Sequence, residues 1–291
     1  MKKWTIPALL TLCFLTYSNL VIAQTIVVPE KLEGWAQTWV ANINGSQASF
    51  NNWSEGGVNT ISGAASTVFT KYYREGRFSY GFRTNLRYGQ SKLNGDEVRK
   101  SDDLISIRNR ATYDLSDDSK FAAYGAIQFK TQFGDGYDYG KKVNGGDSLI
   151  SAFLSPAYLT EGLGIEVNVN QNLKAEGGLA IKQTFISDGD LAPNYGMDLG
   201  ETFRSEGGIT TGITYQNEIM ENIKYSSSVE TFTNLLMPIS KTDVFWSNEL
   251  TGQINKLISA SFQFELRYDD DFSEEVQLKQ VLAAGLTINL Y

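Results

Sequence analysis

The stretch ISASFQFELRY, from Ile258 to Tyr268, alternates without a break. Ile258, Ala260, Phe262, Phe264, Leu266 and Tyr268 take the even positions, and Ser259, Ser261, Gln263, Glu265 and Arg267 the odd ones. Strand side chains point to opposite faces in turn, so this segment reads as a strand with one apolar and one polar face. Two folds use such a strand. In a soluble sandwich the apolar face meets a protein core and the polar face meets water, whereas in a membrane barrel the apolar face meets lipid and the polar face a lumen.

The pattern recurs. Phe78, Tyr80, Phe82, Leu86 and Tyr88 oppose Arg77, Arg83, Asn85 and Arg87, and Phe121, Ala123, Gly125, Ile127, Phe129 and Phe133 oppose Tyr124, Gln128, Lys130 and Gln132. Strands are expected at roughly 35–50, 59–73, 77–90, 103–115, 120–133, 148–169, 172–186, 202–215, 222–234, 242–254, 257–268 and 275–291. The connections sort by length. NNWSEGG, KLNGDEVRKSDD, GDGYDYGKKVNGGD, SDGDLAPNYGMDLGE, NLLMPISKT and DDDFSEE alternate with the mostly shorter REG, SDDS, QN, QNEIMEN and NK. A barrel with both ends in the periplasm requires short turns on one side and longer loops on the other, and a sandwich does not.

The expected fold is therefore all-β, an antiparallel up-and-down transmembrane β-barrel of about 12 strands. One join is fragile. Residues 148–169 must form a single strand through SPAYLTEG, on the strength of an apolar phase shared by Phe153, Ala157, Leu159, Leu163, Ile165, Val167 and Val169. A break at Thr160–Gly162 would change the count. Aromatic residues gather at the apolar strand ends, with Tyr73, Phe78, Tyr113, Phe121, Tyr215 and Tyr225 at one level and Tyr88, Phe133, Phe185, Phe203, Trp246 and Tyr268 at the other, as two membrane interfaces demand. The final VLAAGLTINLY sets Leu282, Leu286, Ile288 and Leu290 on the lipid face. Terminal Tyr291 resembles a C-terminal insertion signal but lies out of phase with those aliphatics.

Composition agrees. The chain has 27 Gly, 5 Pro, 15 Tyr and 16 Phe, which suits many strands and tight turns. No internal apolar run reaches the ~18 residues of a membrane helix. Lys2 and Lys3, the apolar WTIPALLTLCFLTY and the small-residue site Val21-Ile22-Ala23 read as a signal peptide over residues 1–23. Residues 24–34 then read as a periplasmic linker and 35–291 as one barrel domain in the cell outer membrane. A lipoprotein reading of Cys13 wants a small residue where Leu12 stands. With the leader removed the chain is Cys-free, so neither disulfides nor thiol chemistry is expected. The net charge of -8, about -10 without Lys2 and Lys3, argues against a nucleic-acid partner.

Three blocks, SQASFNNWSEGG (Ser46 to Gly57), FKTQFGDGY (Phe129 to Tyr137) and ISAFLSPAYL (Ile150 to Leu159), resemble an uncharacterised family of secreted Bacteroidota proteins of outer-membrane β type. The family is a domain of unknown function, so the resemblance implies provenance and carries over no activity.

The chain has no His, which removes the general base of Ser-His and Asp-His sites. Zinc loses its usual ligands, and no metal or cofactor is expected. A carboxylate-pair glycosidase remains open on composition, and a His-independent membrane hydrolase is the third reading, but no enzyme is expected. Asp188 and Asp190 lie in an acidic loop, and Pro193 stands where a calcium loop wants Gly. Trp53, with Gly56 and Gly57, is a candidate for stacking on sugar, or equally a turn with an interface Trp.

Inside the barrel, Arg83, Arg87, Arg108 and Arg110 are expected as a basic wall, facing Glu249 and Glu265 as an acidic one. Opposed walls set a transverse field that orients polar solutes, unless the charges pair and close the lumen. The leading expectation is a narrow porin-like channel for small polar or anionic solutes. The alternative is an occluded barrel with a structural, adhesive or ligand-binding role through its outer loops. The expected partners are outer-membrane lipid, lipopolysaccharide and, during insertion, the barrel-assembly machinery.

Overall fold

The structure, a computed structural model, describes residues 26–49, 59–93, 95–116, 120–143, 146–271 and 273–290. The expected signal peptide, Trp53 and Tyr291 lie outside them. The first five strands are β1 (Gly34–Ala48), β2 (Thr60–Glu75), β3 (Phe78–Leu93), β4 (Arg99–Asp114) and β5 (Phe121–Thr131). A hairpin of β6 (Gly136–Val143) and β7 (Gly146–Ser151) follows. Then come β8 (Ala157–Asn168), β9 (Leu173–Phe185), β10 (Phe203–Met220), β11 (Ile223–Asn234), β12 (Asp243–Gln253), β13 (Ile258–Asp269) and β14 (Ser273–Asn289).

Twelve of these close into one antiparallel barrel, in the order β1-β14-β13-β12-β11-β10-β9-β8-β5-β4-β3-β2. β14 returns to β1 with Ala41 opposite Ile288 and Ile43 opposite Leu286. Closure leaves no unpaired edge, which a hydrocarbon environment would penalise. No helix among the described residues is long and apolar enough to cross a membrane.

Burial separates barrel from sandwich. In a sandwich the apolar faces would be covered; here Leu163, Leu179, Leu278 and Leu282 face outward, Leu282 at 83% exposure, while Arg83, Arg110, Glu166 and Glu249 are buried. Charged inside and apolar outside is the arrangement of a barrel in lipid. Aromatic pairs mark both rims: Tyr73 with Phe78 at 6.3 Å and Tyr215 with Tyr225 at 6.1 Å at the short-turn end, Tyr88 with Phe133 at 6.3 Å and Phe185 with Phe203 at 5.1 Å at the long-loop end.

The expected single strand over 148–169 is two elements. β7 pairs only with β6, outside the barrel, and β8 begins at Ala157 beside β5. Between them Ala152 and Ser155 exchange backbone hydrogen bonds of 2.9 Å, turning the chain. Pro156 has no N–H to offer a ladder, so the ladder starts after it. The barrel count survives because the break falls before the barrel segment and the hairpin adds its strands outside the ring.

Both ends are covered. At the long-loop end, Ile186, Leu191, Ala192, Tyr195 and Met197 form a small core against Leu149 and Ala152. The Tyr195 hydroxyl donates to the Ile150 carbonyl at 2.9 Å, and burial pushes its phenol above the ordinary range. Inward-facing Arg204 of β10 donates to the Tyr195 and Gly196 carbonyls and pairs with Asp271 of the β13–β14 turn, so this loop spans the mouth.

At the short-turn end, residues expected as a linker enter the lumen instead. Ile26 and Val28 are buried against Tyr72, with Leu32 beside them. The sequence prepares the seat: a Cβ on Gly81, which faces inward from β3, would meet Ile26 Cγ2 at 2.3 Å, where carbon contacts need about 3.5–4.0 Å.

Candidate functional site

The six expected wall residues all point inward, and their geometry is one of contact rather than separation. Arg87 lies 3.5 Å from Asp102 and 3.8 Å from Glu265. Arg108 donates to Gln128 at 2.6 Å and pairs with Glu230 at 3.3 Å. Arg110 pairs at 2.8 Å with both Glu166 and Glu176 and stacks on Tyr124 at 4.0 Å. Glu249 accepts hydrogen bonds from Gln263 at 3.2 Å and Thr251 at 3.4 Å.

Glu166, Glu176 and Glu230 were not singled out in the sequence, although each sits on the polar face of its strand. Their partners lie on strands fixed by barrel order. β4 and β11 are five places apart on a ring of twelve, nearly a full diameter. A circular barrel with strands tilted about 40° would have a backbone diameter of ~24 Å, and an Arg and a Glu together reach roughly 11 Å. Contact between Arg108 and Glu230 therefore means a flattened cross-section.

Glycine leaves the inner face of one wall bare. Gly164 of β8 stands directly opposite Gly178 of β9, and a Cβ on Gly164 would come within 2.7 Å of Gly178 Cα and 2.9 Å of the Tyr124 hydroxyl. Tyr124 lies on this bare wall and carries Arg110 on its ring, which brings Arg110 to Glu166 and Glu176.

Further pairs fill the long-loop half. Lys182 reaches Asp243 at 2.7 Å, Asp271 at 3.2 Å and Glu206 at 3.5 Å. Arg267 pairs with Asp269 and donates to the Tyr158 hydroxyl at 3.5 Å, and Lys279 pairs with Asp102 at 2.7 Å. Opposite charges in contact cancel most of the transverse field that separate walls would sustain.

One chord divides what space remains. Lys130 of β5 lies over the Phe245 ring of β12 at 5.4 Å, and those strands are also five places apart. Arg108, Gln128, Lys130 and Phe245 border chambers on both sides, making a septum. The larger chamber, about 250 Å³, lies toward β8–β11 and is lined by Tyr124, Tyr158, Ala180 and Phe232 as well as by charges. The smaller, about 180 Å³, lies toward β3, β4 and β13 and includes Arg83, Arg87, Glu265 and Lys279.

The acidic loop is explained locally. The Asp188 side chain accepts the Asp190 N–H at 3.1 Å and caps the short helical turn Gly189–Tyr195. Among the described residues no cluster of three or more His, Cys, Asp or Glu is placed to hold a metal ion.

Solved structures similar to this chain are themselves membrane barrels. The translocator domain of the autotransporter NalP from Neisseria meningitidis is 12% identical, covering 89% of this chain and 90% of its own, with a TM-score of 0.40. An outer membrane channel from Pseudomonas putida F1 is 10% identical, covering 90% and 98%, with a TM-score of 0.42. The KdgM porin is 9% identical, covering 87% and 99%, with a TM-score of 0.38. These likenesses carry no inference about what this lumen does. No curated protein matches the sequence. Residues 46–137, from the end of β1 into β6, match the family described as Protein of unknown function (DUF3078).

Proposed function

We propose that the protein is an outer-membrane barrel that passes small polar or anionic solutes through a narrow, divided lumen. The observation that carries the reading is the interior itself: charged side chains surround two chambers of about 250 and 180 Å³ instead of packing shut. Both volumes lie below the ~300–1,000 Å³ typical of drug-sized ligands, which confines the solutes to a few heavy atoms. Ion pairs such as Arg108 with Glu230 make the constriction. The apolar outer face and aromatic rims support residence in the outer membrane, with lipid and lipopolysaccharide as neighbours and insertion by the barrel-assembly machinery.

A second reading is a sealed barrel that acts through its loops. It is favoured by the cross-lumen contact of Arg108 with Glu230 and by the coverage of both mouths. Planar-bilayer recording on refolded protein, with folding verified by heat-dependent gel mobility, separates the two. Discrete, salt-dependent steps whose ion selectivity changes in Arg108→Glu plus Arg110→Glu support the conduit. Silence from folded protein refutes it.

A further inference from the structure

We infer that the septum holds a binding site for a small monocarboxylate with an apolar tail, the carboxylate on Lys130 and the tail in the larger chamber. The inference rests on solute access to the lumen, as proposed above, and not on conduction.

Lys130 differs from its neighbours in lacking a carboxylate. Arg87, Arg108, Lys182 and Arg267 each pair with at least one acidic side chain. Lys130 forms no ion pair with any described residue; its ammonium lies over the Phe245 ring and borders both chambers. The charges facing it come from three walls: Arg87 of β3, Arg108 of β4, and Arg267 with Glu265 of β13. Those arginines have carboxylate partners of their own, yet eight cationic side chains border the two chambers against six carboxylates, a balance that attracts an anion.

The rest of the chamber selects the kind of anion. Donors converge near the septum, with the Arg108 guanidinium beside Lys130 and Tyr158 directly across the β5–β8 ladder. A carboxylate accepts from several such donors at once. Beyond them the larger chamber presents Tyr124, Ala126, Ala180, Phe232 and Ile26, an apolar wall that rewards a short hydrocarbon tail and offers nothing to a bare inorganic ion. Glu176, Glu230, Asp243 and Asp269 line the same chamber and repel a second negative charge. About 250 Å³ fits a chain of a few carbons.

The test is isothermal titration of the folded barrel in detergent micelles with sodium butyrate, sodium acetate and inorganic phosphate. Butyrate is expected to bind, more tightly than acetate and than phosphate. Lys130→Met should weaken it about tenfold or more, the loss of a charge-assisted hydrogen bond, while Lys130→Arg retains binding. Lys71→Met, on the lipid face beside Trp35, should leave it unchanged. Should Lys130→Met fail to fold, Ala180→Leu serves in its place, because it fills the chamber without touching the charge and should weaken butyrate more than acetate. No butyrate binding, equal binding by Lys130→Met, or phosphate as tight as butyrate overturns the assignment. Conductance without butyrate binding removes the site and leaves the conduit standing. Butyrate binding to a silent barrel does the reverse.

Discussion

Replacing Gly81 with Ala should loosen the segment that covers the short-turn mouth. The new methyl would sit 2.3 Å from Ile26 Cγ2, so Ile26 must retreat by roughly 1.2–1.7 Å to regain ordinary contact. Burial of Ile26 and Val28 holds the segment with at most ~1.5–3 kcal/mol each. Overpacking of this kind costs ~1–3 kcal/mol, less than the whole of that grip. The substitution therefore does not expel the segment outright; it raises the withdrawn population about 5- to 150-fold. A single cysteine at Val28, in a Cys13→Ser background, reports that population through its rate of thiol labelling in micelles. When opening and closing outpace labelling, the rate follows the withdrawn fraction. Gly81→Ala should speed labelling by the same 5- to 150-fold while the barrel keeps its heat-shifted gel mobility. An unchanged rate in an intact barrel would show that Ile26 does not occupy the Gly81 seat.

Two further substitutions probe the wall. Arg110→Met removes the partner of Glu176 and one of two partners of Glu166, and should lower stability by about 3 kcal/mol, the low end for breaking a buried pair because Lys174 still holds Glu166 at 2.8 Å; a urea-unfolding shift below about 1 kcal/mol would refute the pairing. Leu282→Arg places a charge on the lipid face near mid-strand and should cost about 2–4 kcal/mol for the barrel in bilayers, whereas a neutral result would mean that this face does not meet hydrocarbon.

The barrel was legible in the sequence because its signal is local. Alternation in Ile258–Tyr268 puts Phe262 and Glu265 on opposite faces whatever the rest of the chain does, and loop lengths then favour the barrel, with Phe262 outward, without any contact information. The break before β8 hid behind that same alternation: the odd positions from Phe153 to Val169 keep phase through Pro156, although a proline inside a presumed strand was the available warning. The inward direction of all four arginines was equally local. Their partners were not. Arg108 meets Glu230 through ring order and a flattened section, and neither leaves a signal in the alternation of one strand. The entry of Ile26 into the lumen left only a faint trace, a glycine in phase with Arg83.

The interior follows from the size of the ring. An eight-stranded barrel is filled by its own side chains, and one of 16–18 strands keeps an aqueous channel. Twelve strands fall between these, and in this lumen the side chains leave two chambers of about 250 and 180 Å³, so an ion buried among them loses hydration that its partners must replace. Contact pairs across the flattened section resolve that tension. Each guanidinium supplies several donors to carboxylates on the far wall, as Arg110 does for Glu166 and Glu176. The same logic makes Lys130 informative. In a lumen where Arg87, Arg108, Lys182 and Arg267 each have an acidic partner, an amine that lies over an aromatic ring and pairs with no carboxylate among the described residues is where the balance of charge leaves room for an anion from outside.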